Sequence, residues 1–111
     1  MSAAASDRIR ALNDAFRAAG PFAGTWLVAA GVEALGPVFV LEAMRQVQAF
    51  DRFTADNDPH REHDFGSFEL SGERLFWKID YYGPDLASGS NDPGDPAVTR
   101  RVLTLMLASE Y

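Results

Sequence analysis

Along residues 7–19, Ile9, Leu12, Phe16 and Ala19 recur at helical spacing, with Asp7, Arg10, Asn13, Asp14 and Arg17 largely on the other side. This pattern predicts an amphipathic helix capped by Ser6 or Asp7 and ended by Gly20-Pro21. Residues 25–30 (TWLVAA) lie between two glycines, and Trp26 and Val28 favour a strand. Residues 31–36 read as a turn, and Pro37 suits the first position of a second helix over 37–47. There Val40, Leu41, Met44 and Val47 share a face, while Phe39 points elsewhere. Phe50 and Phe53 read as the start of a further strand.

Residues 65–70 and 74–82 make the clearest hairpin, joined around Ser71-Gly72-Glu73. Alternation puts Leu75, Trp77, Ile79 and Tyr81 on one face, together with Phe68 and Leu70 for a tight turn in either of two registers. Ser67, Glu69, Arg74, Phe76, Lys78 and Asp80 form the opposite, mostly polar face. Residues 83–94 (GPDLASGSNDPG) form a loop by composition. Asp95 and Pro96 then suit the start of a last helix reaching nearly to Tyr111, with Val98, Val102, Leu105 and Met106 as its main stripe. Leu103 and Leu107 widen its apolar arc, which calls for two covering elements or a second subunit. The expected architecture is one α+β domain over residues 1–111, in the order α-β-α-β-β-β-α. Its sheet is mostly antiparallel, with helices on one face and the charged strand residues on the other.

The totals narrow the function classes. With 111 residues, 47% of them hydrophobic, the chain builds one core and needs no disulfide or metal to do so. It has no cysteine, which excludes a disulfide scaffold, a thiolate zinc site and a cysteine nucleophile. The first six residues lack the apolar core of a secretory signal, and no apolar run reaches the ~20 residues that span a bilayer. A cytoplasmic protein without membrane association is expected. The net charge is −6, and the basic residues are scattered apart from Arg100-Arg101. Direct nucleic-acid binding is therefore disfavoured, and a basic protein surface is the partner that charge favours.

One segment stands out. Residues 51–64 (DRFTADNDPHREHD) hold both histidines of the chain and a turn at Asn57-Asp58-Pro59. Asp56, Asp58, Glu62 and Asp64 offer oxygen ligands, and His60 and His63 offer imidazoles three residues apart, which a helical turn at Pro59 would bring to one metal. The run is not an EF-hand, because Arg61 and Ser67 stand where the loop requires Gly and Glu. Nor is it H-E-x-x-H. Lys78 and Asp80 form a second candidate. A lysine beside carboxylates is the combination of metal-dependent nucleases, yet Glu69 lies before the turn and Lys78 after it, where cross-strand pairing explains the same residues. Neither G-x-S-x-G nor a phosphate-binding glycine loop is present.

Several strings carry a resemblance: Asp7-Arg8-Ile9-Arg10-Ala11-Leu12-Asn13-Asp14, Gly31-Val32-Glu33-Ala34-Leu35-Gly36, Phe50-Asp51-Arg52-Phe53-Thr54, Asp56-Asn57-Asp58-Pro59-His60 with Glu62-His63-Asp64-Phe65-Gly66, Trp77-Lys78-Ile79-Asp80-Tyr81-Tyr82 and Arg101-Val102-Leu103-Thr104. With them nearly the whole chain resembles an uncharacterised, mostly alphaproteobacterial domain family of unknown function, often encoded near plasmid or other mobile-element genes. Arg61 stands where such proteins carry Gly, and Gly83 where they carry an acidic residue. The resemblance implies a bacterial, cytoplasmic protein of the mobile-genome pool, and it implies no activity, cofactor or catalytic residue.

Two functional expectations follow. The first is a non-enzymatic interaction or accessory module that needs no cofactor, with a basic protein partner or a homodimer through the last helix. The second is a metal-dependent hydrolase or nuclease built on residues 56–64, with Lys78 and Asp80 nearby. That second reading requires the loop to fold over the polar sheet face and to bring His60 or His63 close to Asp80.

Overall fold

The computed structural model describes residues 3–111; Met1 and Ser2, the first two of the six residues compared above with a secretory signal, lie outside the described residues. Helix α1 (Ala3–Ala19) is followed by strand β1 (Thr25–Val28), the short helix α2 (Ala30–Glu33) and helix α3 (Pro37–Ala49). Strands β2 (Phe65–Leu70), β3 (Glu73–Tyr82) and β4 (Arg100–Leu107) complete the fold, with a 3-10 turn at Ala108–Glu110. The four strands form one sheet in the order β1-β4-β3-β2. β4 runs parallel to β1 and antiparallel to β3, and β2 is antiparallel to β3. The domain is therefore α+β, but its sheet is mixed, and its elements run α-β-α-α-β-β-β.

The largest departure from expectation is the last element. Residues 100–107 are a strand, not a helix, and they fill the centre of the sheet between β1 and β3. Val102, Leu103, Leu105 and Met106 are all buried. A short apolar run buried on both faces presents the same wide arc as a helix covered on two sides, and periodicity does not separate the two. Asp95 does not cap a helix; its carboxylate accepts the Ala97 N–H at 2.9 Å within a turn. The homodimer contact expected from that helix has no helix to use.

The hairpin forms as read. Leu70 pairs with Glu73 across the two-residue turn Ser71-Gly72, whose φ values of 51° and 81° are those of a type I′ turn. Phe68, Leu75, Trp77 and Ile79 are buried on the helix-facing side. No strand forms at Phe50 or Phe53. Phe50 ends α3, and both rings meet Trp77 edge-on at 5.5 and 6.1 Å. Part of the expected 31–36 turn is α2, whose Val32 is buried in the core.

Two helices present other faces than expected. α1 begins at Ala3, so Ser6 and Asp7 lie inside it rather than capping it. It buries Ile9, Asn13 and Arg17, a ridge of every fourth residue that is two-thirds polar. α3 turns Ala43, Met44 and Val47 to the core with Phe39 beside them, and leaves Leu41 out. Among the described residues no helix is long and apolar enough to cross a membrane.

Candidate functional site

The buried polar ridge of α1 is met by the loop over residues 51–64. Asn13, with no exposed surface, donates from Nδ2 to the Glu62 carbonyl at 2.9 Å and to the Tyr81 hydroxyl at 2.8 Å. Its Oδ1 accepts from Arg101 Nε at 2.7 Å, and Arg101 also donates to the Pro93 carbonyl. The Tyr81 hydroxyl donates to Glu62 Oε1 at 2.9 Å. One asparagine thus ties helix, loop and two strands together, satisfying groups whose burial without partners would cost about 1–3 kcal/mol each. Burial, followed by the Asp64 and Glu62 carboxylates, pushes the Tyr81 phenol far above its ordinary range, against the pull of the Asn13 N–H. Burial lowers the Arg101 guanidinium, with Tyr81 and Glu62 acting the other way.

A second knot lies one turn along. Arg17 donates from Nη1 to the Val47 and Phe50 carbonyls at 3.2 and 2.9 Å, capping the end of α3. Its Nη2 meets Asp14 Oδ1 at 2.8 Å, and the guanidinium lies 5.0 and 5.3 Å from the Trp77 and Phe53 ring centres. Asp14 Oδ1 also takes His63 Nδ1 at 2.8 Å. The His63 ring stacks on Phe53 at 3.7 Å, nearly parallel. Its Nε2 faces Asp58 Oδ2 at 3.6 Å, and its backbone N–H donates to Asp58 Oδ1 at 3.1 Å. Each imidazole nitrogen therefore already faces a carboxylate of the chain.

The loop holds an uncommon backbone to make these contacts. Arg61 and His63 have φ of 59° and 54°, in the left-handed region where a side chain costs about 1–2 kcal/mol. The first of these is the position where the resemblance placed a glycine. Arg10 reaches across to the Arg61 carbonyl at 3.1 Å while pairing with Asp7 at 2.7 Å. Arg10, Phe53, Thr54, Asp58, Arg61 and His63 border an open cavity of about 460 Å³.

The eight candidate residues do not converge. Asp58 and Glu62 are buried and His63 is half-buried against α1, whereas Asp56 and His60 stay on the surface. Asp64 is half-buried, its carboxyl raised above the usual range by burial, then by Glu62 and Asp58. Lys78 and Asp80 lie on the other side of the sheet, since β3 alternates and Trp77 and Tyr81 point to α1 and the loop. They pair with each other at 3.1 Å, and Glu69 pairs with Arg74, its cross-strand partner, at 2.6 Å. The loop has not folded over the polar face, so the arrangement required for the metal-dependent reading is absent. Among the described residues no group of three or more His, Asp or Glu side chains is placed to hold a metal ion. Asn13, Asp14, Arg17, Tyr81 and Arg101 belong to the same network but matched no chemical motif. Asn13 and Arg17 shared a four-residue spacing with Ile9, and Asn13, Asp14, Tyr81 and Arg101 fell within the strings that carry the resemblance.

Fold and site together define a small α+β domain with a four-stranded mixed sheet, whose polar loop is latched to its first helix. The chain belongs to the family described as protein of unknown function DUF3768, whose model matches residues 28–110. That span holds the loop and all of β2–β4, while α1 lies before it. No curated protein and no solved structure matches the chain.

Proposed function

We propose that this protein is a non-enzymatic interaction module, an accessory protein of the bacterial cytoplasm that docks onto a basic surface of another protein. The observation that carries this reading is a gathering of exposed apolar side chains: Phe22 is 98% exposed, and Val38 and Leu41 on α3 are 80% and 58% exposed. Large apolar side chains left in water at one place mark binding surfaces in soluble domains. The chemistry-bearing residues support the same reading, because His63, Asp14, Asp58 and Arg17 are engaged with one another and Glu62 is held by Tyr81. The net charge of −6 favours a basic partner over a nucleic acid.

The test is site-specific photo-crosslinking in the source cells, with the probe at position 38 and, as control, at position 85 in the 83–94 loop. One defined adduct at 38 and none at 85, with the captured protein rebinding the purified chain, is the expected result. Adducts at neither position, or equally at both, would remove the reading.

A further inference from the structure

Two of the exposed apolar residues, Phe22 and Leu41, border a groove, and the groove's construction restricts what fits it. Pro21, Phe22, Pro37, Val40, Leu41 and Met44 line a volume of about 410 Å³ between the segment after α1 and the flank of α3. Pro21 and Pro37 fix φ in both segments that wall the groove, which favours a groove formed before any partner arrives. The remaining lining residue is Glu33, which is exposed and has no ion-pair partner among the described residues. Arg45, the one cation of α3, is held by Glu42 at 2.9 Å.

Three occupants can be compared on physical grounds. A second copy would bring another net charge of −6 to the same patch. The large exposed apolar side chains there, Phe22, Val38 and Leu41, are also few for the ~800 Å² per partner typical of stable interfaces. An added strand needs a row of free backbone N–H and C=O groups, and here the walls are a helix and a turn, with no strand edge among them. A helix brings its own satisfied backbone, and it places apolar side chains at i, i+3 and i+7 along one line.

We infer that the groove takes an amphipathic helix of a partner protein, its apolar ridge seated between Phe22 and Leu41 and a Lys or Arg beside that ridge facing Glu33. The inference rests on the interaction reading above and names the partner's chemistry.

The test titrates the full chain calorimetrically with a synthetic amphipathic helix of about five turns, with leucines at i, i+3 and i+7 and lysines flanking them. A twin carries glutamates in place of the lysines. Saturable binding of the lysine peptide is expected, with the twin at least about tenfold weaker. Phe22→Ser and Leu41→Ser should each weaken the lysine peptide by about tenfold or more without changing the melting temperature, because both side chains are largely in solvent. Glu33→Lys should reverse the preference between the twins. Absence of saturable binding, equal affinity for both twins, or unchanged affinity in Phe22→Ser would overturn the inference. Sedimentation of the same samples separates the two claims. A dimer abolished by Phe22→Ser puts a second copy in the groove and ends the helix inference, while crosslinking at position 38 still decides whether another protein docks there. If the chain stays monomeric and binds neither peptide, the inference falls, and crosslinking at position 38 decides the broader reading alone.

Discussion

Gly66 sits directly beneath the indole of Trp77, its cross-strand neighbour, and a β-carbon at Gly66 would fall inside the envelope of the ring nitrogen. Trp77 is wholly buried, with Phe50, Phe53 and Arg17 around it, so the ring has nowhere to retreat. Gly66→Ala is expected to cost about 2 kcal/mol or more by overpacking. Gly72→Ala, in open space at φ 81°, is expected to cost about 1 kcal/mol through backbone strain alone. Urea denaturation of the two variants compares them, and an equal loss in both would refute the steric account.

Arg17 satisfies two carbonyls at the end of α3 and one Asp14 oxygen with a single planar fork. A lysine ammonium cannot cover the same spread, nor lie flat against Trp77 and Phe53. Arg17→Lys should therefore destabilise the fold by about 2–4 kcal/mol, measured by chemical denaturation. A loss below about 0.5 kcal/mol would show that the contacts are incidental.

The Asp64 carboxyl is raised above its ordinary value of 3.8, chiefly by burial and then by Glu62 and Asp58. The folded chain therefore holds this proton more tightly than the unfolded chain. The resulting stabilisation is fully present below pH 3.8 and is lost as pH rises through the raised value. Asp64→Asn should thus raise the melting temperature at pH 7, and its advantage should vanish as pH falls below 3.8. A gap between variant and parent that does not change with pH would sink the assignment.

With φ at 59°, Arg61 presents its carbonyl to Arg10, and His63 two residues on meets Asp14. Arg61→Gly removes the strain but frees the unfolded chain, so stability should stay level or rise by up to about 1 kcal/mol. Arg61→Val, branched at a left-handed position, should lose about 1–2 kcal/mol. Thermal melts of the pair decide it, and a large loss in the glycine variant would mean that the arginine side chain itself holds the loop.

Some of this was legible in the sequence, for identifiable reasons. The β2–β3 hairpin could be read because Leu75, Trp77, Ile79 and Tyr81 alternate with polar residues, and Ser71-Gly72 favours a primed turn. β4 was misread because Val102–Met106 is apolar on both faces, which erases alternation. Asn13 and Arg17 read as a solvated helix side because nothing local in sequence reveals that Glu62, Tyr81, Val47 and Phe50 arrive to pair with them. Grouping Lys78 and Asp80 with the histidine loop required that loop to fold over the polar sheet face, whereas it packs against α1. Strand alternation, already present in the same reading, is what sends them to the other side.

The parallel pairing of β1 with β4 has a consequence for how the chain is made. Thr25 meets Val102 and Val28 meets Leu105, with most of the chain between them, and β4 must enter between β1 and β3. On the ribosome the β2–β3 hairpin can close as soon as it emerges, but the central position of the sheet stays empty until residues 100–107 have emerged. During synthesis β3 therefore offers one unpaired edge and β1 has no neighbour. A nascent chain stalled before residue 100 would be a sticky half-sheet, dependent on chaperones in a way the finished protein is not.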